Sequence, residues 1–521
     1  MSVLTHRFTA HRAIPAAVVL LVSVLSACNT IPPLRSSPSP AAAVAAVLPA
    51  HHRYNTCFPS LADPAATPAA PTSAATLPSP TGSSSPSETG SQSSAVLAEA
   101  NSFMSSFTTG NFASQWQFLD PEAAAQWPGV AARTAMLDAK FPAGSIAGYT
   151  LGTPQPNATW VNRETLATAS GLWAVPVTLT FTHPTLLHPA DIPSLYAVLN
   201  LEIRLGASGA SVVGEGPASP DAPIILPAAL PAPHPLHVPI LMYHNIAPPP
   251  SPSWYSSAYA YRLDASLTVS PGQFAQEMGW FSENGFHAIS LTRLLDAILY
   301  QLPLPSRPVV ITFDDGRSGP FTYAVPILKQ YGMTATFFIT TQLIGIEVPG
   351  HAYLTWPAVS ALNSEGFWIE DHTLKDNVSF WYGNRATVAA IIAQSTAAIV
   401  SHITIHPQFI AYTGMWPYAS PATAGPLTPP VFSLVSTYGY VGGVIDSSEN
   451  SNVVSSTNPL YLPRIRVNPN EALSTFVHSL GTAAGIPIPF TSAPHTGVLV
   501  PAAAHTPMPP ATPRTCTTGW S

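Results

Sequence analysis

The chain has 521 residues, of which 46% are apolar and only 8% are charged, with a formal net charge of −7. This length is enough for two or three domains and at least one large hydrophobic core. The sequence has no run of lysine or arginine, which argues against a nucleic-acid-binding protein. The 59 prolines are concentrated in segments rich in alanine, serine and threonine, a composition typical of linkers.

The N-terminus has the pattern of a secretory signal. Arg7 and Arg12 precede an apolar run over residues 13–25, and the sequence LSAC follows, ending at Cys28. This run is shorter than the roughly 20 residues that a membrane span needs. LSAC resembles the bacterial lipobox, which implies a signal over residues 1–28 and a lipid-anchored, extracellular protein. An ordinary signal peptide or a short anchor with an incidental cysteine is the alternative.

Two segments of low complexity flank the folded part of the chain. Residues 29–94 are mostly Ala, Pro, Ser and Thr, cannot bury a core and are predicted to form a disordered tether. The tail, residues 490–521, has a similar composition. Cys57 lies in the tether and Cys516 in the tail, without the spacing of a zinc site. In an exported protein these two thiols either pair or stay free, and the sequence leaves both alternatives open.

Residues 95–226 are predicted to fold as an α+β domain. Apolar residues recur at helical spacing before Gly110 and again in VAARTAMLDAKF. Three strand-like runs follow: IAGYTLG, LWAVPVTLTFTH and SLYAVLNLEIRLG. This order of helices and long strands resembles the NTF2-like domains that precede catalytic domains in some bacterial cell-wall proteins. No charged cluster there indicates catalysis, so we expect a spacer or binding module.

Residues 238–489, which follow a proline-rich linker over residues 227–237, alternate short apolar strands with helices. The strand-like runs include VPILMYH, VVITF, ATFFIT, FWIED, FIAYT, YVGGVI and YLPRIRV. Repeated strand–helix units predict an α/β domain with a parallel sheet, and the strands are numerous enough to close a barrel. Functional loops are then expected at the carboxyl ends of the strands.

Asp314 and Asp315 directly follow the strand VVITF and precede Gly316. Taken alone, the sequence DDG is typical of a solvated turn. At the end of a buried strand, however, two adjacent carboxylates cannot both ionise at low cost unless they share a cation or a proton. The pattern predicts a metal site in which one aspartate binds the cation and the other accepts a proton.

A second strand, FWIED, runs into His372 and Asp376, which one helical turn would place on the same face. The ordered segments VPILMYHNI, FHAIS, RPVVITFDDG and AVPILKQYGMTATFFI resemble the polysaccharide deacetylases of carbohydrate esterase family 4, and the resemblance runs through residues 238–489. It implies a distorted (β/α)7-type barrel. It also implies metal-dependent removal of N-acetyl or O-acetyl groups from sugars.

The resemblance assigns Asp315, His372 and Asp376 to a metal site and Asp314 to the role of the base beside it. Asp315 and His372 match metal ligands, and Asp314 matches the general base. Asp376 stands where the family usually has a second histidine, so the third ligand would be an oxygen. An oxygen-rich site favours harder ions such as Mn or Mg over Zn, with Co as a further candidate, and two carboxylates make the cation less electrophilic. If Asp376 points away, the site is weak or absent.

Three further residues are candidates for catalysis. His244, at the end of LMYH, matches the acid that protonates the leaving amine, and a buried structural histidine is the alternative. Tyr412 best matches a loop whose backbone N–H stabilises the oxyanion, although a tyrosine that ends a strand is more often a packing residue. Arg464 matches an arginine that keeps Asp314 ionised, and a plain salt bridge explains it nearly as well.

The sequence therefore predicts a cell-surface, metal-dependent deacetylase acting on an N-acetylglucosamine-containing polysaccharide, with O-deacetylation of another glycan as a weaker reading. The expected partners are the polysaccharide and the membrane, with no nucleic acid, and the oligomeric state is left open. A non-catalytic carbohydrate-binding or scaffold lipoprotein on a degenerate barrel is the alternative. Asp376 and the altered loop at Tyr412 are the features that favour this alternative.

Overall fold

A computed structural model of the chain describes most of the two predicted folded domains. The described residues are 86–182, 196–207, 209–217, 236–348, 350–375, 385–403, 405–413, 434–446 and 459–483. Several sequence predictions fall outside these ranges: the signal segment with Cys28, Cys57, Asp376 and Cys516.

The N-terminal domain places helices before an antiparallel sheet, as the α+β prediction requires. Its helices are α1 (Pro86–Thr109), α2 (Pro121–Ala124) and α3 (Val130–Lys140), with a 3-10 turn at Phe112–Phe118. Its strands are β1 (Ile146–Leu151), β2 (Gln155–Val161), β3 (Thr168–Phe181), β4 (Tyr196–Gly206) and β5 (Gly209–Pro217). The sheet order is β1–β3–β4–β5, and β2 pairs with another part of β3. The likeness to NTF2-like domains stays a prediction.

Helix α1 starts earlier than the sequence suggested. Val96, Ala100, Phe103 and Phe107 are buried at spacings of one helical turn and belong to the same core as the sheet. Once this packed face has nucleated the helix, each further residue adds a backbone hydrogen bond at little cost. Residues 86–94, which we predicted as part of the tether, are therefore helical.

The second domain contains short strands, which are parallel except for one antiparallel pair, and the helices that cover them. Its strands are β6 (Ile240–Tyr243), β7 (Asn245–Ile246), β8 (Thr268–Val269), β9 (His287–Ala288), β10 (Pro308–Phe313), β11 (Thr336–Ile339), β12 (Glu347–Val348), β13 (His351–Ala352), β14 (Trp368–Asp371), β15 (Phe409–Ala411), β16 (Gly442–Asp446) and β17 (Leu462–Arg466). Its helices are α4 (Ala258–Leu267), α5 (Pro271–Glu283), α6 (Leu291–Tyr300), α7 (Val325–Tyr331), α8 (Trp356–Ser364), α9 (Arg385–Ile403) and α10 (Leu473–Ala483).

Among the described residues, seven parallel strands close a barrel in the order β6–β10–β11–β14–β15–β16–β17, and β17 pairs again with β6. Strand β9 pairs with β10 outside this ring. The predicted α/β barrel, preceded by a smaller α+β domain, is therefore confirmed. Because all seven strands run in the same direction, their carboxyl ends meet at one end of the barrel, the mouth.

Alternation along the strands separates the barrel interior from its outer layer. Val310, Phe338 and Leu462, from three different strands, belong to one hydrophobic cluster. Their neighbours Ile311 and Phe337 belong to a second cluster, which packs against the helices. Since side chains on a strand alternate between its two faces, residues two positions further along continue the interior face.

The loop between β2 and β3 docks the N-terminal domain onto the amino-terminal end of the barrel. Arg163 donates to the carbonyl of Phe367 at 3.2 Å and to the side chain of Asn363 at 2.7 Å, just before β14 begins. The carboxylate of Glu164 accepts from the backbone and the hydroxyl of Ser290, the N-cap of α6. The two domains are therefore joined at the end of the barrel opposite the mouth.

Helix α6 completes this junction. Leu294, Leu295 and Ile298 lie in the same hydrophobic cluster as the core of the N-terminal domain, and Lys140 of α3 pairs with Asp296 at 2.9 Å. A single apolar core therefore continues from one domain into the other.

Helix α9 is, within the described ranges, the one helix long and apolar enough to cross a membrane by length and composition. Its residues Val388, Ile392 and Ile399 are buried against the barrel. On the same helix, the Ser395 hydroxyl donates to the carboxylate of Asp371, and the hydroxyls of Thr396 and Tyr440 share a hydrogen bond. Both hydrogen bonds are buried. In this structure α9 is a helix of the barrel's outer layer.

Candidate active site

The chain turns sharply where β10 ends. The backbone N–H of Asp314 donates to the carbonyl of Tyr243 at 2.9 Å, which continues the strand pairing by one residue. Asp315 and Gly316 then adopt φ values of 72° and 70°. Aspartate and glycine are among the residues that tolerate this left-handed conformation best. The turn breaks the alternation of the strand, so both carboxylates face the barrel mouth.

Asp314 forms a buried pair with Arg464. Two nitrogens of the Arg464 guanidinium donate to the two carboxylate oxygens, each at 2.6 Å. Arg464 also donates to the Thr312 hydroxyl at 3.1 Å and to the Ile445 carbonyl at 3.2 Å, so it fills the barrel interior beneath the mouth. Burial alone would raise the pKa of Asp314, but the charges of Arg464 and His372 hold that pKa below its usual value.

His372 lies against both aspartates. Its Nδ1 is 2.8 Å from the carbonyl of Ala411, and because a carbonyl only accepts, Nδ1 carries a hydrogen. Its Nε2 faces Asp315 Oδ1 at 3.6 Å and Asp314 Oδ2 at 4.0 Å. A neutral imidazole would thus direct its Nε2 lone pair at carboxylate oxygens, a repulsive arrangement that a cation or a proton relieves.

The spacing of Asp315 and His372 fits a shared cation. Zinc bonds of about 2.0–2.2 Å to nitrogen and oxygen place two adjacent ligand atoms about 3.0–3.5 Å apart. The observed 3.6 Å between Nε2 and Oδ1 is close to this range. In the part of the chain that the structure describes, no group of three His, Cys, Asp or Glu side chains converges, and Asp376 lies outside it. Two candidate ligand side chains therefore lie close together, and the metal site with its third ligand stays a prediction.

Asp371 holds the loop that carries His372. Its carboxylate accepts from the backbone N–H of Thr373 at 2.7 Å and from the hydroxyls of Ser395 and Tyr440. Thr373 has a φ of 66°. This conformation costs a β-branched residue energy, and it persists only where the surrounding structure holds it in place. Burial raises the pKa of Asp371 to about 6, and these donors oppose the shift. Asp371 therefore fixes the orientation of His372 from the outer side of the sheet.

His244 follows β6 and lies beside the two aspartates in partly buried surroundings. Burial lowers the pKa of His244 to about 4, although the charges of Asp315 and Asp314 oppose this shift. His244 is therefore neutral in the free protein at neutral pH. To act as the predicted imidazolium acid it must gain a proton during the reaction.

The loop after His244 packs tightly on the segment after the aspartates. A Cβ on Gly319 would lie 2.2 Å from Asn245 Oδ1 and 2.5 Å from the carbonyl of Ile246. Glycine is therefore required at this position for the two loops to approach each other. This contact holds the ends of β6 and β10, and with them His244 and Asp314, in a fixed relation.

Tyr412 is not brought to the mouth. Its side chain is buried in the outer hydrophobic cluster with Ile410 and Tyr440, above Gly443. Its backbone N–H donates to the carbonyl of Val444 at 3.1 Å as part of the pairing between β15 and β16. The Tyr412 side chain is therefore a packing residue here, and the loop that follows lies outside the described residues, so an oxyanion donor near Tyr412 stays a prediction.

Two further charged residues at the site were not identified from the sequence. Arg317 donates to Asp315 and also pairs with Asp264, which lies on the unpredicted helix α4. In a chain with only 18 lysines and arginines, an arginine directly after DDG was a usable signal. Asp264 gives no such signal, because it is brought to the site only by the fold.

Glu277 beneath β6 makes the stability of this region depend on pH. It is buried, accepts from the Tyr243 hydroxyl at 2.7 Å and from Gln273 at 2.9 Å, and burial raises its pKa from 4.5 to about 7. The folded state therefore binds this proton more tightly, and stability falls as the pH rises from the unfolded pKa to the folded one. For Glu277→Gln, we expect the free energy of unfolding, relative to wild type, to rise by about 2–3 kcal/mol between about pH 5 and pH 8.

Urea unfolding of both proteins at the two pH values measures this difference. Glu283→Gln, on the exposed side of the same helix, is the control. A constant difference between wild type and Glu277→Gln would contradict the prediction.

Comparison with known proteins finds a matching family model and several similar proteins. Residues 301–420 match the family model described as polysaccharide deacetylase. A Bacillus subtilis (strain 168) protein, YxkH, whose name assigns it to the polysaccharide deacetylases, is 33% identical over 141 residues. The match covers 27% of this chain and 43% of the relative, so the chain spans less than half of that relative's length. A poly-beta-1,6-N-acetyl-D-glucosamine N-deacetylase of Staphylococcus aureus (strain MSSA476) is 26% identical over 214 residues, 39% of this chain and 69% of that protein.

Two solved structures are also similar to this chain. The Streptococcus pyogenes deacetylase PplD in complex with acetate aligns with a TM-score of 0.39 and 23% identity, covering 47% of this chain and 99% of that one. BC0361, a polysaccharide deacetylase from Bacillus cereus, aligns with a TM-score of 0.36 and 14% identity, covering 64% and 99%. By the family match, residues 301–420, which include Asp314, Asp315 and His372, belong to a polysaccharide deacetylase domain.

Proposed function

We propose that the chain is a metal-dependent deacetylase that hydrolyses the N-acetyl groups of an N-acetylglucosamine-containing polysaccharide. The observation that carries this proposal is the position of Asp314, locked by Arg464, beside the pair formed by Asp315 and His372. A base and two candidate ligands of a cation are thereby gathered at the mouth of the barrel. The Staphylococcus relative, named for a polymer of N-acetyl-D-glucosamine, supports this substrate class.

The chain's own residues divide the work of amide hydrolysis between them. Asp315 and His372, with Asp376 as the predicted third ligand, would hold a divalent ion, either Zn or the harder Mn, Co or Mg. Such an ion supplies Lewis-acid polarisation of the acetyl carbonyl. Asp314 takes the proton of the attacking water, and Arg464 keeps Asp314 oriented and ionised until then.

His244 supplies a proton to the departing amine late in the reaction. It is neutral at first, takes up a proton from the solvent as negative charge develops on the substrate, and gives that proton to the amine nitrogen, while Asp314 later returns the proton of the water to the solvent. The amine leaves as an N-deacetylated sugar unit, and the acyl group leaves as acetate. An extracellular, membrane-anchored location, supported by the signal pattern that ends at Cys28, would place this chemistry at the cell surface.

The test is acetate release from N-acetylglucosamine oligomers by the full chain, after chelation and after addition of Zn, Co, Mn or Mg. We expect release only with added metal. We also expect about one divalent ion per chain, lost in Asp315→Ala. Binding of the oligomers without acetate release under any metal would contradict the proposal and favour the scaffold alternative.

A further inference from the structure

We propose that Arg317, backed by Asp264, is a positioning residue that holds one oxygen of Asp315 so that the other is presented toward His372. This inference rests on the proposed function, in which Asp315 is a metal ligand. It concerns two residues outside the segments that carried the family resemblance.

The contacts divide the two oxygens of Asp315 between two partners. Nε of Arg317 donates to Asp315 Oδ2 at 3.0 Å, whereas Oδ1 is the oxygen that faces Nε2 of His372 at 3.6 Å. Nη1 of Arg317 donates to Asp264 Oδ1. Arg317 and Asp264 are both buried, so their attraction is weakly screened and the guanidinium bridges two carboxylates from different elements. Asp315 therefore has one oxygen fixed and one left to bind a cation.

Asp264 is itself held by two other segments. The Tyr255 hydroxyl donates to its Oδ2, and Nδ1 of His351 lies 3.0 Å from its Oδ1. Gly350 has a φ of 98°, and a Cβ there would lie 1.8 Å from the Tyr255 hydroxyl oxygen, so the tyrosine fits only against glycine. The backing carboxylate is thus fixed from several sides, as the orienting partner of a metal ligand should be.

The charges of the two residues also suit this role. An unpaired arginine beside the site would repel a divalent cation. Asp264 cancels the charge of Arg317, so that Asp315 keeps its own negative charge for the cation. The alternative is a purely structural ion pair that only holds α4 in place, which would affect stability without affecting cation binding.

Arg317→Lys in the full chain separates these readings, because it keeps the charge and loses the planar fork that reaches both carboxylates. We expect Co²⁺ binding, followed by calorimetry and by the visible absorption of bound Co²⁺, to weaken about 10–100-fold, with an altered spectrum. Lys140→Met is the matched control, because it removes a partly buried ion pair at the opposite end of the barrel. We expect it to lower the melting temperature and leave Co²⁺ binding unchanged.

Wild-type affinity and an unchanged spectrum in Arg317→Lys would overturn the inference and leave the proposed function intact. A wild-type chain with no Co²⁺ binding that depends on Asp315 would overturn both. If Arg317→Lys fails to fold, the double variant Asp264→Asn/Arg317→Gln, which keeps the net charge, takes its place. Co²⁺ binding weakened in the same range supports the inference, and unchanged binding overturns it.

Discussion

Replacing Asp314 with asparagine is expected to lower kcat for acetate release about 10²–10⁴-fold, the usual contribution of a general base. Asparagine keeps the shape of the side chain and still accepts a hydrogen bond from Arg464, but it cannot take a proton from water. Asp315 and His372 are unchanged in this variant, so we expect it to retain its divalent ion. Acetate release and metal content, measured on the same preparation, check both parts.

Asp296→Asn is the matched control, because Asp296 is a partly buried carboxylate paired with Lys140 far from the mouth. We expect its kcat to equal that of the wild type. If Asp314→Asn released acetate as fast as this control, Asp314 would not be the base, and the catalytic proposal would lose its central residue.

Arg464→Met is expected to lower the free energy of unfolding by about 3–5 kcal/mol, because it leaves the charge of Asp314 buried without its partner. The double variant Asp314→Asn/Arg464→Met removes both charges and should recover a large part of this loss. Equilibrium unfolding in urea measures all three proteins.

Arg466→Met, two residues along the same strand, is the control for this prediction. Its partner Asp446 is 3.4 Å away and both side chains are partly exposed, so we expect a loss of about 0–1 kcal/mol. An equal loss of unfolding free energy for Arg464→Met and Arg466→Met would contradict the prediction. It would show that the pair of Arg464 with Asp314 contributes no more to stability than a partly exposed ion pair.

The fold could be predicted where strands are buried on both faces, because such strands read as apolar runs between helical patterns. The runs that became β6, β10 and β11 are of this kind. Strands β2 and β5 were missed, since β2 contains Pro156 and Asn157 and β5 is rich in glycine, residues that are rare inside strands. Helix α4 was missed because its ten residues show only a weak apolar pattern.

The residues of the candidate site could be predicted where they directly follow the carboxyl end of a barrel strand. Asp314, Asp315 and His372 meet because parallel strands bring their carboxyl ends together. The orientation of the Tyr412 side chain could not be predicted, because both faces of β15 are apolar and the sequence does not show which face points outward. Asp264 could not have been assigned, because it lies 53 residues before Arg317 along the chain and no local pattern links them.

Because the β2–β3 loop docks onto the barrel, we do not expect the barrel domain to fold well without the N-terminal domain. A polypeptide cut at the proline-rich linker to begin at Val238 would lose Glu164, the acceptor for the first turn of α6, and Arg163, the anchor beneath β14. It would also uncover the leucines that α6 shares with the preceding domain. We therefore expect the shortened barrel to aggregate, and efforts to crystallise or engineer it should keep both halves together.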